Sequence, residues 1–301
     1  MDLIVPIPND AEIWINDGNG TFTKRVPSGL DAATFKAICV GDIDSDGDID
    51  FFSGNRVGAN KLYRNNGLGT LSLMSDVSLD SNALSCAMGD INGDGALDIV
   101  VVSDTSSTTL MQIWVQTGAT PAFTSVTAPL NTQGSTYYEF LAFGDADGDG
   151  DADLVITTSG GGGPGFSGGS ELYINDGSGE FTIHPNSPVN VRIEEISGAR
   201  AIAWGDIDGD ADSDLVISYY ERTSVTGDPI VDVFYLKVWI NSGANAIFVD
   251  GTATALPGSI GVTSEKVFQI ALGDTDGDGD LDLIADRYLF INNGGGVFSA
   301  P

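Results

Sequence analysis

The chain has 301 residues, of which 42% are hydrophobic, and its formal net charge of −31 comes from 43 acidic and 12 basic side chains. This length suffices for a large core, and no apolar run approaches the roughly 18 residues of a membrane-spanning helix, so membrane insertion is not expected. The acidity makes nucleic acid and anionic membrane surfaces poor candidates for partners. The 40 glycines predict many tight turns, and the lack of a sustained i, i+3, i+4 apolar pattern predicts little helix.

The first predicted element, residues 1–27, contains three strands. Residues 1–5 (MDLIV) match the end of an acidic loop that recurs later in the chain, with Asp2 in its last acidic position. Residues 13–22 (IWINDGNGTF) include an Asn-Asp-Gly-x-Gly segment, which predicts a hairpin turn because these residues tolerate positive φ. This region is therefore predicted to be the last three strands of a four-stranded repeat.

Five acidic loops follow, and their starting points are 48, 55, 61 and 68 residues apart. Five copies of one pattern predict a repeat protein with one loop in each structural unit. We number the loops 1 to 5, and we count positions from the first Asp of each. They are residues 41–50 (GDIDSDGDID), 89–98 (GDINGDGALD), 144–153 (GDADGDGDAD), 205–214 (GDIDGDADSD) and 273–282 (GDTDGDGDLD).

Each loop has the pattern of a calcium cage. Asp or Asn at alternate positions directs oxygen atoms inward, and Gly at position 6 permits a sharp turn. Positions 1, 3, 5 and 9 are expected to bind through side-chain oxygens and position 7 through its backbone carbonyl. This hard donor set favours calcium over zinc or copper, and magnesium fits less well because it requires a tighter octahedron. About five calcium ions are predicted, one per loop. The predicted ligands are Asp42, Asp44, Asp46, Asp48 and Asp50; Asp90, Asn92, Asp94, Ala96 and Asp98; Asp145, Asp147, Asp149, Asp151 and Asp153; Asp206, Asp208, Asp210, Asp212 and Asp214; and Asp274, Asp276, Asp278, Asp280 and Asp282.

The acidic composition fits this prediction. The chain has 35 Asp but only 8 Glu, and 19 of the Asp occupy positions 1, 3, 5 and 9 of the loops. Five calcium ions would reduce the net charge from −31 to about −21. Without metal, each loop would crowd like charges and destabilise the fold. An ion enclosed in this way has little room for a substrate, so its predicted role is to hold together the two strands that flank each loop.

Two loops depart from the pattern. Loop 2 has the neutral Asn92 at position 3, which predicts a lower calcium affinity. Loop 4 has Ala211 in place of the Gly at position 6 and Ser213 in place of an apolar residue at position 8. A left-handed Ala costs on the order of 1 kcal/mol more than Gly. Loop 4 is therefore predicted to be the weakest or most distorted of the sites that have four Asp.

Each loop lies between two apolar strands, and two further strands follow. The third strand ends in a turn such as LYRNNG (62–67) or LYINDG (172–177), and the fourth is opened by residues such as Phe181. Four short antiparallel strands per repeat are typical of the blades of a β-propeller. The predicted fold is an all-β propeller of six blades, the first incomplete, and a fragment of a seven-bladed propeller is the alternative. The predicted blades are residues 1–30, 31–79, 80–130, 131–192, 193–257 and 258–301.

The calcium loop, the D-[LI]-[VI] strand after it and the L-Y-x-N-x-G turn together resemble the FG-GAP/VCBS repeat family, which includes the integrin α-subunit propeller and bacterial lectin propellers. The resemblance covers nearly the whole chain. It implies that calcium lies in the loop between the first two strands of each blade, on one face of the propeller. It also implies that ligands bind the opposite face. The protein is expected to be secreted or on the cell surface, because millimolar extracellular calcium suits unshielded loops of modest affinity.

The expected function is that of a calcium-stabilised binding or adhesion module that recognises a carbohydrate or a protein. Two connections opposite the metal loops are long, the Gly-rich segment 159–170 and the segment 219–231. Exposed Tyr beside Arg can stack on and hydrogen-bond a sugar. The candidate ligand-binding residues are Tyr137, Tyr138, Tyr219, Tyr220 and Arg222.

An enzyme is the alternative, either a propeller polysaccharide lyase or the propeller portion of a secreted hydrolase. The sequence has one His and no recognisable nucleophile constellation, which favours a non-catalytic role. The sequence leaves open whether copies associate through the edges of incomplete blades.

The two cysteines, Cys39 and Cys86, lie two and three residues before the Gly that opens their loops. These positions point to opposite faces of equivalent strands. The sequence therefore predicts buried free thiols rather than a disulfide, and it leaves the redox compartment open.

Overall fold

A computed structural model of the chain describes residues 3–7, 10–16, 22–25, 35–55, 59–68, 70–74, 79–81, 83–104, 109–117, 122–127, 136–160, 168–185, 192–193, 197–223, 231–243, 246–256, 262–263, 269–286 and 288–299. The chain divides into two units, Met1–Ala128 and Pro129–Pro301. Both are built from antiparallel groups of strands that follow the predicted repeats, and we call these groups blades 1 to 6. A pairing of Ser159 with Gly198 joins the strands of blades 4 and 5 into one sheet.

The first unit contains three blades, each with its strands paired in chain order. Blade 1 has three strands, β1 (Leu3–Ile7), β2 (Asp10–Asn16) and β3 (Phe22–Arg25). Blade 2 has β4 (Phe35–Gly41), β5 (Asp50–Asn55), β6 (Ala59–Asn65) and β7 (Leu71–Leu73), and a short strand β8 (Leu79–Ser81) pairs with β6. Blade 3 has β9 (Ala83–Gly89), β10 (Asp98–Asp104), β11 (Thr109–Gln116) and β12 (Phe123–Thr127).

The second unit contains blades 4 to 6. Blade 4 has β13 (Thr136–Gly144), β14 (Asp153–Gly160), β15 (Gly168–Asn175) and β16 (Phe181–Ile183), and β17 (Arg192–Ile193) pairs with β15. Blade 5 has β18 (Ser197–Gly205), β19 (Asp214–Thr223), β20 (Val231–Asn241) and β21 (Phe248–Asp250), followed by the one-turn helix α1 (Thr252–Ala255) and by β22 (Val262–Thr263), which pairs with β20. Blade 6 has β23 (Ile270–Gly273), β24 (Asp282–Ala285) and β25 (Tyr288–Phe290), and a bridge between Asn292 and Phe298 marks its outer end.

These sheets confirm the all-β prediction and the three-stranded first blade. In the part of the chain that the structure describes, α1 is the single α-helix, and it is too short and too polar to cross a membrane. In blades 2 to 6 the acidic loop connects the first strand to the second, as predicted.

The hydrophobic core lies between neighbouring blades. Val155, the third residue of β14, packs with Leu215 and Ile217, the second and fourth residues of β19. Between blades 5 and 6, Val216 of β19 packs with Leu283 of β24 in the same arrangement. Since successive residues of a strand point to opposite faces, β19 is covered on both sides. This explains why its first half is continuously apolar rather than alternating. The second strand of blade 6 differs, because Ile284 is exposed.

The prediction of two free thiols is wrong, because Cys39 and Cys86 form a disulfide with their Cα atoms 5.9 Å apart. Cys39 lies in β4 and Cys86 in β9, the first strands of neighbouring blades, and both belong to the core between those blades. The two residues do have opposite orientations within their own sheets. Where two blades stack side by side, however, it is opposite faces that meet. The prediction holds for two strands of one sheet and fails for strands of two stacked blades.

The long connections opposite the acidic loops are shorter than predicted. The segment 159–170 was predicted to lie outside the strands, but β14 extends to Gly160 and β15 begins at Gly168. Only residues 161–167 remain between the two strands, and they lie outside the described residues. In blade 5, β19 runs on to Thr223 and pairs there with Val231 at the start of β20. Residues 219–222 are therefore part of a long hairpin and not of a loop.

Candidate metal centres

All five loops have the same backbone conformation, with two left-handed residues at positions 4 and 6. At position 6 this residue is Gly in four loops and Ala211 in loop 4, where φ is 75°. The predicted strain at Ala211 is therefore present. Position 4 is also left-handed, and loop 1 has Ser45 there with φ of 59°. The sequence analysis missed this second position, although Gly occupies it in the four other loops.

The Asp at position 1 organises the loop that follows it. Its carboxylate accepts hydrogen bonds from backbone N–H groups three to five residues later, which folds the loop around it. In loop 1, for example, the N–H groups of Asp46 and Gly47 donate to Asp42 at 3.0 and 2.9 Å. The equivalent acceptors in the other loops are Asp90, Asp145, Asp206 and Asp274.

The Asp at position 9 ties the loop to the third strand of the same blade. In loop 1, the N–H of Ile43 donates to Asp50 Oδ2 at 3.0 Å and the N–H of Asn65 donates to Asp50 Oδ1 at 2.8 Å. Both bonds recur in every loop, and all five carboxylates are fully buried. The equivalent residues are Asp98, Asp153, Asp214 and Asp282.

Burial raises the pKa of four of these carboxylates, whereas in loop 5 hydrogen bonds from Thr275 and Asn292 lower the pKa of Asp282 against the effect of its burial. Burial raises the pKa of Asp50 and Asp214 to about 6 and that of Asp153 to about 7, although two amide donors act against the shift in each case. Burial and the neighbouring carboxylates of the same loop also raise the pKa of Asp147 and Asp208, both at position 3. A cation among these groups would favour their charged forms.

In each of four loops, the carboxylates converge on a point within that loop. In each of these loops three Asp side chains have oxygen atoms within 4.8 Å of one another: Asp42, Asp44 and Asp50; Asp145, Asp147 and Asp153; Asp206, Asp208 and Asp210; and Asp274, Asp276 and Asp282. In loop 2, Asn92 holds position 3, and its amide donates to Asp94 at 3.3 Å. The structure thus brings together the side chains predicted at positions 1, 3, 5 and 9, with different sets of three in different loops.

Two of the carboxylates in these clusters have an oxygen without a hydrogen-bond partner. These oxygens are Oδ1 of Asp44 and Oδ1 of Asp208, both buried and both at position 3. An unpaired buried acceptor is unfavourable by about 1–3 kcal/mol. Buried carboxylate oxygens that face other carboxylates are the donors that a hard divalent cation requires. The residues present therefore fit calcium.

Two further contacts involve predicted ligand residues. In loops 1, 3, 4 and 5 the Asp side chain at position 7 lies at the third-strand turn, where a Cβ on Gly67, for example, would be 2.5 Å from Asp48 Oδ1. This contact explains the Gly of that turn. In loop 1, Arg64 forms an ion pair with Asp44 through Nε. The other blades have Val or Ile at that position of the third strand, so the ion pair distinguishes loop 1 from the rest.

The amide side chain at the end of each third strand is a site residue that the sequence analysis missed. It was interpreted only as part of a turn. In loop 1 the Asn65 side chain donates to the carbonyl of Ile49 at position 8, at 3.1 Å. Asn175, Asn241 and Asn292 make the same bond. The available signal was that Asn or Gln occupies this position in all six repeats, at 16, 65, 116, 175, 241 and 292.

The prediction that Tyr219 belongs to an exposed ligand-binding surface is wrong. Its side chain is fully buried, its hydroxyl lies 3.2 Å from Ser170 Oγ, and its ring stacks on Tyr235 with 5.4 Å between centroids. Burial also raises its pKa. The backbones of the other candidates, Tyr137, Tyr138, Tyr220 and Arg222, lie in β13 and β19, and their side chains lie outside the described part of the structure.

Comparison with known families matches this architecture. A model of FG-GAP-like repeats matches residues 1–53, 42–101 and 90–156, which together cover just over half of the 301 residues. The chain belongs to the FG-GAP repeat family. The antiparallel blades and these repeats identify the fold of this FG-GAP protein as a β-propeller.

Among solved structures, the FG-GAP chain is similar to a crystal structure of a protein from Lactobacillus plantarum. The TM-score is 0.49 and the sequence identity 10%, and the similarity covers 100% of this chain and 95% of that chain. No curated protein sequence gives a significant match.

We predict that replacing Ala211 with Gly stabilises loop 4. Relief of the left-handed Ala should raise the free energy of unfolding by about 1 kcal/mol and strengthen metal binding at that loop. Gly150→Ala in loop 3 is the matched control, because a Cβ at Gly150 would have no atom within 4 Å and would add only backbone strain. Chemical denaturation should show shifts of opposite sign for the two variants. Equal stability of Ala211→Gly and the natural protein would contradict the prediction.

We also predict that the metal-free protein becomes more stable as the pH falls from about 7.5 to about 5. An unfolded Asp titrates near 3.9, well below the pKa values of about 6 and 7 of Asp50 and Asp153 in the fold. The folded state therefore binds more protons in this range, and protonation favours it. Thermal denaturation of metal-stripped protein at several pH values measures the effect. Saturating calcium should weaken or reverse the trend, since protons compete with the ion. A melting temperature that falls steadily without metal would show the prediction to be wrong.

Proposed function

We propose that this FG-GAP propeller is an extracellular binding or adhesion module that is stabilised by about five calcium ions, one in each loop. The observation that carries the proposal is the repeated cage, in which Asp residues converge and Oδ1 of Asp44 and Oδ1 of Asp208 are buried without a partner. A calcium ion would satisfy these oxygens and neutralise the like charges. Its role is structural, because it joins two strands of a blade.

Two observations support an extracellular location. Disulfides such as Cys39–Cys86 form and persist in oxidising environments, which include the outside of the cell. Calcium sites of extracellular modules commonly have dissociation constants of roughly 10⁻⁴–10⁻³ M, which suits exposed loops of this kind. The positions between the ligands, such as Ser45 and Gly47, are solvent-exposed.

The ligand-binding part of the proposal concerns the ends of the blades opposite the calcium loops. We infer that a carbohydrate or a protein binds there, beside the β14–β15 and β19–β20 hairpins. The backbones of Tyr138 and Tyr220 are close to these ends, where they pair with Thr158 and Phe234. Aromatic residues near Arg suit sugar recognition, because they combine stacking with hydrogen bonding. The burial of Tyr219 removes one residue from the expected set and leaves Tyr137, Tyr138, Tyr220 and Arg222.

Removal of calcium should destabilise the protein. Each site contributes about 1.4 kcal/mol when free calcium is tenfold above its dissociation constant, so five sites together should change the melting temperature by many degrees. Thermal denaturation followed by circular dichroism, before and after chelation, measures this change, and native mass spectrometry counts the ions. Magnesium in place of calcium should restore less stability. Identical melting curves with and without chelator would refute the calcium proposal.

Binding of a ligand should depend on the same ions. On a glycan array we expect signal in millimolar calcium and its loss after chelation, because the hairpins are held by the blades that calcium stabilises. Tyr220→Ala with Arg222→Ala should abolish the signal, whereas Lys24→Ala, a solvent-exposed residue of blade 1, should not. Assay of released uronic-acid products on the same glycans tests the lyase alternative. Cleavage would contradict a purely binding role.

A further inference from the structure

We propose that Asn241 and Asn292 are positioning residues for the calcium sites of the blades that precede them, and that loops 3, 4 and 5 therefore bind calcium as a coupled group. The proposal rests on the proposed calcium function. Its new content is that calcium binding to one loop changes the calcium affinity of the next loop.

Each of these Asn residues is fixed to the loop of its own blade. The N–H of Asn241 donates to Asp214 Oδ1 at 2.7 Å, and its side-chain amide donates to the carbonyl of Ser213 at 3.2 Å. Asn292 makes the corresponding bonds to Asp282 and Leu281, at 2.9 and 3.2 Å. Both side chains are buried, with 2% and 0% exposure.

Each also reaches the loop of the preceding blade. The Asn241 amide donates to the carbonyl of Ala146 in loop 3 at 2.9 Å, across 95 residues of sequence. The Asn292 amide donates to the carbonyl of Ile207 in loop 4 at 2.8 Å. Ala146 and Ile207 both occupy position 2, between the ligands at positions 1 and 3. The Asn side chains therefore hold the segment of backbone that carries two ligands of the neighbouring site.

These bonds form one continuous series through the ligand carboxylates. The N–H of Ala146 donates to Asp153 and the N–H of Ile207 donates to Asp214, both at 2.7 Å. The backbone N–H of each position 2 residue thus donates to the position 9 Asp of its own loop, and its carbonyl accepts from the Asn of the next blade. The series runs in order through Asp153, Ala146, Asn241, Asp214, Ile207, Asn292 and Asp282.

A second contact joins loop 4 to blade 6. A Cβ on Gly296 would lie 3.1 Å from Asp208 Cβ, so the turn after β25 packs directly on position 3 of loop 4. Asp208 is one of the two residues with an unpaired buried oxygen. A calcium ion that fixes Asp208 therefore also fixes the surface on which blade 6 rests. Because buried amide donors lose their acceptors if a loop rearranges, ordering of one loop favours ordering of its neighbour.

Blade 3 lacks this link. Gln116 takes the place of the Asn there, and its N–H donates to Asp98 at 2.7 Å in the usual way. Its side-chain oxygen, however, is buried without a partner. Among the described contacts, its side chain makes no bond to Ile43, the position 2 residue of loop 1. Loops 1 and 2 are therefore expected to bind calcium independently of each other.

The test removes one ligand at position 3 and follows the remaining sites. Asp208→Ala inactivates loop 4, and Asp44→Ala inactivates loop 1 as the matched control. Native mass spectrometry counts the bound ions, and competition with a fluorescent calcium chelator measures the remaining affinities. Both variants should lose one ion. Asp208→Ala should also weaken two of the remaining sites by about fivefold or more, whereas Asp44→Ala should leave the remaining sites within about twofold of their original affinities.

Two further changes separate coupling from general loss of structure. In a protein that carries both Asn241→Ala and Asn292→Ala, with folding checked by circular dichroism in saturating calcium, Asp208→Ala should remove one bound ion and leave the affinities of the remaining sites unchanged. Gln116→Asn should create the missing link to loop 1, so that Asp44→Ala now weakens loop 2. A merely structural role for these amides would not move affinities at neighbouring loops in this pattern.

The outcomes are distinguishable from those that test the calcium function. Calcium binding with the same remaining affinities in Asp208→Ala and Asp44→Ala overturns the coupling and leaves the calcium function intact. No calcium binding to the natural protein overturns both.

Discussion

One buried aspartate in each of blades 2 to 6 joins the acidic loop to the strands of its blade. The carboxylate at position 9 accepts one hydrogen bond from its own loop and one from the third strand, as Asp153 does from Ala146 and Asn175 at 2.7 and 2.8 Å. It thereby closes three strands and a loop around a single charged group. The burial that makes this tie strong also opposes ionisation, which is why the pKa of Asp153 rises to about 7. A cation beside it offsets that cost, so the fold and the proposed metal site depend on the same group.

This arrangement concentrates the shared structure of the repeats at one end of each blade. The loop, its position 9 Asp and the third-strand amide are all within a few residues of the Asp-rich end. The other end is free to vary, and the loops accordingly recur at intervals from 48 to 68 residues. Blade 5 uses this freedom for the long β19–β20 hairpin, which buries Tyr219 against Tyr235. Variation at that end would let the proposed ligand-binding surface change without disturbing the acidic loops.

The parts of the fold that the sequence predicted are those with a local signal. Repeated Asp spacing placed the loops and the strands beside them, and Gly at position 6 predicted the left-handed turn that Ala211 shares. The features that could not be predicted from the sequence depend on which faces of neighbouring sheets contact each other. The Cys39–Cys86 disulfide was missed because residues on opposite faces of equivalent strands come together only between stacked blades. Tyr219 was misjudged because a strand that continues past its repeat pattern cannot be told from a loop by alignment alone. The third-strand amides were visible as a repeat, but their bonds to Asp and to loop carbonyls require the register of three strands.

Besides hydrophobic packing, blades 4 to 6 and blades 2 and 3 are joined by two different kinds of link. Blades 4, 5 and 6 are linked at their loops by Asn241 and Asn292, whose side chains reach the preceding loop. Blades 2 and 3 have Gln116 at that position and no such described bond, but their first strands are joined by the Cys39–Cys86 disulfide. A covalent bond constrains two blades whether or not metal is present, whereas the amide links act through the loops that metal would order. In the first unit the contact between these blades should therefore be largely independent of calcium. In the second unit the proposed coupling would make the contact between blades depend on the ions, so we expect the effect of calcium on contacts between blades to be larger in blades 4 to 6.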